Sequence, residues 1–291
     1  MKECVPEGIE SWMDHHHTAT QCRRLTDMRS NDTSTEAARA KDKTPFSCQR
    51  DGLTLRGHVF GDAAPGKPAV IISHGFLATE KTVYDYARAL AAEGYLAVTF
   101  DFNGGGIGSR SDGKSEDMTL LTEKADLLAV TEAVKARYQP AGISLMGCNQ
   151  GGFVSALAAK ELGCGEIRSL VMFYPALCIP DDARKGRMMV YRFDPAHVPD
   201  VLGRLPMKLG GNYARVVMDM DPYQAIRGYE GPVLLVHGTD DSLVDISYSR
   251  RAKEVYAQCE YHEIQGGGHG FDKKHDEEAI SILKRFLASH S

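Results

Sequence analysis

No stretch of this chain is apolar for long enough to cross a bilayer, and residues 1–43 lack the apolar core of a secretory signal. A cytoplasmic location is therefore expected. The chain also lacks any long Lys/Arg run, and its formal net charge is −5. That leaves no electrostatic footprint for nucleic acid or for an anionic membrane surface. Its seven cysteines (Cys4, Cys22, Cys48, Cys148, Cys164, Cys178 and Cys259) are odd in number and scattered, which fits reduced thiols better than a disulfide framework. What remains is a chain of 291 residues, 43% hydrophobic, able to bury one large core.

Residues 1–44 have no sustained apolar period and mix eight acids with seven bases. They read as a polar, disordered extension or an upstream start. His15, His16 and His17 between Cys4 and Cys22 invite a zinc reading, but the spacing matches no tight ligand frame, so no metal is expected. From residue 45 strands and helices alternate. Phe46–Gln49 and Leu53–Phe60 suggest an opening hairpin, Lys81–Ala92 a helix, Leu96–Phe100 a strand and Met118–Tyr138 a long helix. The inner side of that long helix is expected to carry Leu121, Ala125, Leu128, Val130 and Val134. Asp272–His290 reads as a closing helix. Such alternation implies an α/β fold with a mainly parallel sheet.

The missing residue that matters most is a serine. Gly147-Cys148-Asn149-Gln150-Gly151 is a G-x-S-x-G nucleophile elbow with asparagine at its centre. The context is right: Ile143–Met146 is a short apolar strand, Phe153–Leu162 reads as a helix, and Gly147, Gly151 and Gly152 supply the small neighbours that a sharp strand-to-helix turn needs. Asparagine tolerates positive φ, but its carboxamide offers no ionisable nucleophile. Cys148 is adjacent and is expected to face the packed interior rather than the cleft.

Two further elements follow in the order this elbow demands. Pro232–His237 is a buried strand leading into Gly238-Thr239-Asp240-Asp241, which puts a carboxylate at a strand's C-terminal end; Asp241 is assigned, with Asp240 and Asp245 as neighbours. Strand Glu260–Ile264 then precedes Gly266-Gly267-Gly268-His269, a loop presenting a single histidine. The order nucleophile, acid, histidine makes His269 the triad histidine. The strand Ala69–Ser73 ends in His74-Gly75-Phe76, whose Phe76 amide, with the amide of Gln150, is expected to form an oxyanion hole. The glycine-rich run Asp101–Gly113 lacks the Lys-Ser/Thr ending of a phosphate-binding loop and is read as a flexible rim of the cleft.

Residues 46–288 resemble the feruloyl and cinnamoyl esterase group of the α/β-hydrolases, close to the serine aminopeptidase-like hydrolases. The matching segments are Arg50–Gly57, His74-Gly75-Phe76, Phe100–Gly104, Gln150-Gly151-Gly152, His237–Asp241 and Gly268-His269. The resemblance implies an α/β-hydrolase fold with a lid inserted over about residues 174–227. It also implies that Asp182 and Tyr213 approach the phenolic hydroxyl of a hydroxycinnamoyl group. The expected ligand is a small ester, with no cofactor, no nucleic acid and no membrane partner, and a homodimer is compatible. Asn149 departs from the family pattern. It leaves an engineered inactive variant, a natural non-catalytic binder, an asparagine that deamidates to an aspartate nucleophile, or another nucleophile.

Overall fold

The computed structural model describes residues 42–290. The cluster of Cys4, His15, His16, His17 and Cys22, and nearly all of the polar 1–44 segment, lie outside the described residues. Eight strands form one sheet: β1 (Lys43–Arg50), β2 (Leu53–Phe60), β3 (Ala69–Ser73), β4 (Leu96–Asp101), β5 (Ile143–Cys148), β6 (Ile167–Phe173), β7 (Val233–Gly238) and β8 (Cys259–Ile264), in the order β1-β2-β4-β3-β5-β6-β7-β8. Only the β1/β2 and β2/β4 pairings are antiparallel; from β4 to β8 the strands run parallel. The sheet is buried on both faces, as parallel sheets are, and so its strands read as nearly continuous apolar runs.

Alternation along each strand divides the core in two. Ile71, Val98, Leu145, Leu170, Met172 and Leu235 pack on one face against α2 (Leu120–Tyr138) and α3 (Gln150–Leu162). Val70, Ile72, Ala97, Met146, Val171 and Val236 pack on the other against α1 (Tyr84–Ala92) and the closing helix α4 (Lys273–His290). Between β6 and β7 the chain leaves the sheet for residues 174–227, which form short helices at Ile179–Arg184, Asn212–Arg215 and Pro222–Ile226 and two small antiparallel ribbons.

The largest departure from the sequence reading is in α2. The helix starts at Leu120, capped by Thr119, whose hydroxyl accepts the Thr122 amide while Thr122 returns the bond. Its buried face carries Leu120, Glu123, Asp126, Leu127, Val130, Thr131 and Val134, whereas Leu121 is exposed. A reading that assigns acids to solvent rotates the helix wrongly here, because Glu123 and Asp126 are buried with partners: Asp126 accepts from the Asn103 amide at 2.9 Å and also pairs with Arg50.

Between α1 and α4, Tyr86 donates to the Asp276 carboxylate. Burial pushes the Asp276 carboxyl up to about 6, and the Tyr86 hydrogen bond only partly opposes it. Since the folded value lies above the unfolded value of about 3.9, the native state binds the extra proton between these limits, and stability falls as pH rises from about 4 to 6. Asp276→Asn keeps a carbonyl acceptor for Tyr86 without the buried charge. It is expected to stabilise the protein by about 1–3 kcal/mol at pH 7.5, discounted for partial exposure, with the gain shrinking toward pH 4. Denaturation midpoints at the two pH values check this.

Candidate active site

The turn from β5 into α3 has Asn149 at its apex, with φ 54° and ψ −120°. Few side chains tolerate this region, and an observed outlier of this kind is a mark of functional turns. The turn is tied on all sides. Asn149 N–H donates to Phe173 O at 3.0 Å, and its carbonyl accepts from Gly152 N at 3.1 Å and Ala176 N at 2.9 Å. The glycines are needed for close approach: a Cβ on Gly147 would sit 2.1 Å from Gly151 O, and one on Gly151 would sit 2.4 Å from His74 O.

Above this turn the sequence candidates converge. The Asn149 Nδ2 lies 2.9 Å from His269 Nε2, and His269 Nδ1 lies 2.8 Å from Asp241 Oδ2. The Asp241 side chain is fully buried. Its Oδ1 accepts the backbone amides of Leu243 and Val244, each at 2.9 Å. Burial pushes the Asp241 carboxyl up, but hydrogen bonds from His237 and His269, the electrostatic attraction of the His269 ring and the Val244 amide outweigh it and hold the carboxyl well below the usual carboxylate range. Asp240 and Asp245 stay outside this arrangement: Asp240 is exposed and accepts from Thr239 Oγ1, and Asp245 accepts from the Ser247 amide at 2.8 Å. The acid and histidine loops interlock through glycine. Asp240 N donates to Gly267 O at 2.9 Å, and a Cβ on Gly238 would meet that same carbonyl at 2.0 Å.

The Phe76 amide donates to Asn149 Oδ1 at 3.3 Å. Gln150 opens α3, so its amide is among the first-turn donors that have no intrahelical acceptor. The loop carrying Phe76 is held from beneath by His74, which is fully buried. Its Nδ1 lies 2.8 Å from Gly75 O and its Nε2 accepts the Phe102 amide at 3.2 Å, which assigns the proton to Nδ1. The glycine-rich run packs against the same loop. Gly106 bridges to Leu77, and a Cβ there would fall 1.6 Å from Ala78 O. Asp101 ties both segments, accepting from Glu80 N and Arg110 N at 2.8 Å each. Gly106 therefore serves contact with the Phe76 loop, and the rim is tied down.

Tyr213 and Asp182 take different hydrogen-bonding partners. Tyr213, 2% exposed, packs at a tilt against Phe76 with ring centroids 5.5 Å apart and donates to Gln150 Oε1. Asp182 pairs with Arg187. Its charge still contributes, after burial, Glu123 and Cys178, to raising the Tyr213 hydroxyl well above its ordinary value. Cys148 is buried in the opposite core among Phe173 and Tyr174, and burial pushes its thiol up to about 12. A cavity of about 330 Å³ bordered by Arg50, Asn103, Lys114 and Asp117 contains none of the candidate residues.

Three supporting residues escape the sequence reading. His237 is fully buried beneath the acid, with Nε2 3.1 Å from Asp241 Oδ2 and Nδ1 2.6 Å from Ser249 Oγ. His74 supports the Phe76 loop as described. Glu123, also buried, accepts from Gln150 Nε2, and burial raises its carboxyl well above the ordinary value. No local spacing exposes the first, because His237 lies near the end of a strand and meets Asp241 only through the turn that follows.

The serine aminopeptidase S33 family model matches residues 64–223, a span that includes the elbow and the Phe76 loop. Among solved structures, Est1E from Butyrivibrio proteoclasticus with ferulic acid bound is 31% identical, with 84% of this chain and 99% of that chain covered and a TM-score of 0.76. The DcsB complex with its substrate analogue is 20% identical, covering 86% of this chain and all of that one at a TM-score of 0.70. The Pyrococcus furiosus esterase Pf2001 is 21% identical, covering 90% and 96% at a TM-score of 0.65. These last two likenesses speak to the fold alone. A search of curated proteins finds no match.

Gly151→Ala tests the turn itself. Because the new Cβ meets backbone rather than a movable side chain, it is expected to destabilise the protein by about 1–3 kcal/mol or to prevent folding, read as a lowered melting temperature beside an exposed control such as Gly165→Ala, whose Cβ would meet nothing.

Proposed function

The chain belongs to the serine aminopeptidase S33 family of α/β-hydrolases, and from that premise we propose that it is a carboxylic ester hydrolase scaffold of the feruloyl-esterase type, impaired as written because Asn149 stands at the nucleophile position. The observation that carries the proposal is the chain of contacts from residue 149 to His269 to Asp241, with the Phe76 amide on the opposite side of residue 149.

With a serine hydroxyl in that place, His269 Nε2 takes its proton as the oxygen attacks the ester carbonyl. Asp241 accepts from Nδ1 and stabilises the imidazolium. The tetrahedral oxyanion draws on the Phe76 and Gln150 amides. His269 then protonates the leaving alcohol, and water repeats the sequence on the acyl-enzyme. Asparagine removes the first step and leaves the remaining groups in place. Residues 174–227 supply the lid in this reading, and the small-molecule ligand is an ester with an aromatic acyl group, as the ferulic acid bound to Est1E suggests. In this protein Tyr213 is engaged with Gln150, so its part in acyl recognition runs through the ring packed on Phe76. The second reading, a binder that retains ester or acid without turnover, draws on the same donors, since neither backbone amide depends on a serine.

Asn149→Ser is expected to raise hydrolysis of methyl ferulate and short aryl esters by about 10³-fold or more, and adding His269→Ala is expected to abolish the gain. Steady-state assays on folded samples check it; no gain from Asn149→Ser contradicts the proposal. The unmodified chain is expected to bind ferulate by calorimetry, and unchanged affinity in Tyr213→Ala would remove Tyr213 from acyl recognition.

A further inference from the structure

The asparagine side chain fills two positions of the site at once. Its Oδ1 takes the Phe76 amide at 3.3 Å, and its Nδ2 faces His269 Nε2 at 2.9 Å. The orientation of the amide follows from its partners. Phe76 N–H can only donate, so the atom facing it is the carbonyl oxygen. His269 Nδ1 is engaged by the Asp241 carboxylate, which leaves Nε2 to accept from the Asn149 NH2. Relative to the donors of an acyl-transfer centre, a primary carboxamide is thus held with its oxygen where negative charge develops and its nitrogen where a leaving group is protonated. Gly75 makes the room: a Cβ there would lie 3.0 Å from Asn149 Cβ and 3.2 Å from Oδ1. Asn149 is half-buried, so water reaches it.

We propose that this site hydrolyses its own Asn149 side chain, converting residue 149 to aspartate. Water is the co-reactant. Its oxygen bonds to Cγ from the face opposite Gly75 while one of its protons passes to His269 Nε2. The carbonyl π pair moves onto Oδ1, where the Phe76 amide holds the charge. The imidazolium, stabilised by Asp241, returns the proton to Nδ2. The Cγ–Nδ2 bond breaks, the carbonyl re-forms, ammonia leaves, and the new acid ionises. No oxidant or reductant is involved. The inference rests on the same histidine and amide donor as the proposed esterase, but it needs no external substrate. Its product is a carboxylate beside His269, which equips the site with an ionised nucleophile.

The chemistry separates this route from ordinary asparagine ageing. Cyclisation, in which the Gln150 amide nitrogen attacks Cγ, opens to a mixture containing isoaspartate. Direct attack by water on Cγ leaves the backbone untouched and gives normal aspartate alone. Full-length protein is incubated at pH 7.5 and sampled over days, and the peptide bearing residue 149 is followed by mass spectrometry with isoaspartate quantified. The exposed Asn212 serves as the internal comparator. The expected result is an amide-to-acid mass gain at residue 149 that outpaces Asn212, yields normal aspartate only, and slows by about 10²-fold or more in His269→Ala. His269→Gln, closer in shape, and circular dichroism of both variants guard against a folding artefact. An intact amide at 149 while Asn212 converts, an isoaspartate mixture at 149, or equal rates in folded His269 variants would each overturn the inference. Ester turnover by Asn149→Ser beside an amide that never converts would overturn this inference and leave the proposed function standing.

Discussion

The left-handed backbone conformation at Asn149 is the constraint on which the rest of the site depends. A residue with φ 54° at the end of a buried parallel strand is held there only if its surroundings over-determine it. Here they do so with hydrogen bonds to β6 and to the segment after it, and with three glycines that let two loops and a helix meet backbone to backbone. The conformation lifts the side chain of residue 149 out of the sheet toward His269 and aims the first amides of α3 at the same point. An open parallel sheet gathers its functional loops at the carboxyl ends of its strands. In this chain β3, β5, β7 and β8 each deliver one part there: the Phe76 loop, residue 149, Asp241 and His269.

Beneath these parts lies a layer of buried polar groups whose role is to hold them still. His74 bridges Gly75 and Phe102, His237 lies between Asp241 and Ser249, and Glu123 anchors the Gln150 side chain. Burying such groups is unfavourable unless their hydrogen bonds are made, and most of these are. The two histidines illustrate how burial and bonding fix a tautomer. His237 Nε2 faces two acceptors, the Asp241 carboxylate and the Val244 carbonyl at 3.0 Å, so the proton sits on Nε2 and Ser249 donates to Nδ1. Asp241 therefore receives donors from both histidines and from two backbone amides, which keeps it ionised in a dry setting.

Much of this was legible in the sequence, for reasons that can be named. The strands β3, β5 and β7 are short apolar runs bounded by glycine or polar turns, and the elbow has a spacing that only a sharp strand-to-helix turn requires. The order of Asn149, Asp241 and His269 along the chain sufficed to select them, and the structure brings the three within hydrogen-bonding distance. The face of α2 was not legible, because amphipathic periodicity counts Glu123 and Asp126 as solvent-facing. Their partners, Gln150, Asn103 and Arg50, are distant in sequence and become neighbours only through the crossover packing. The partner of the Tyr213 hydroxyl, Gln150, is likewise distant in sequence. Long-range polar pairing, unlike apolar periodicity, leaves no local signature.

The central claim is that residue 149, His269, Asp241 and the Phe76 and Gln150 amides form one acyl-transfer centre. The most direct measurement is a structure of Asn149→Ser after reaction with an aryl phosphonate ester, accompanied by intact mass. The account predicts a single adduct on residue 149, with the phosphonyl oxygen within hydrogen-bonding distance of both Phe76 N and Gln150 N and His269 Nε2 facing the leaving-group side. An adduct elsewhere, or one on residue 149 whose oxygen points away from those two amides, would contradict it.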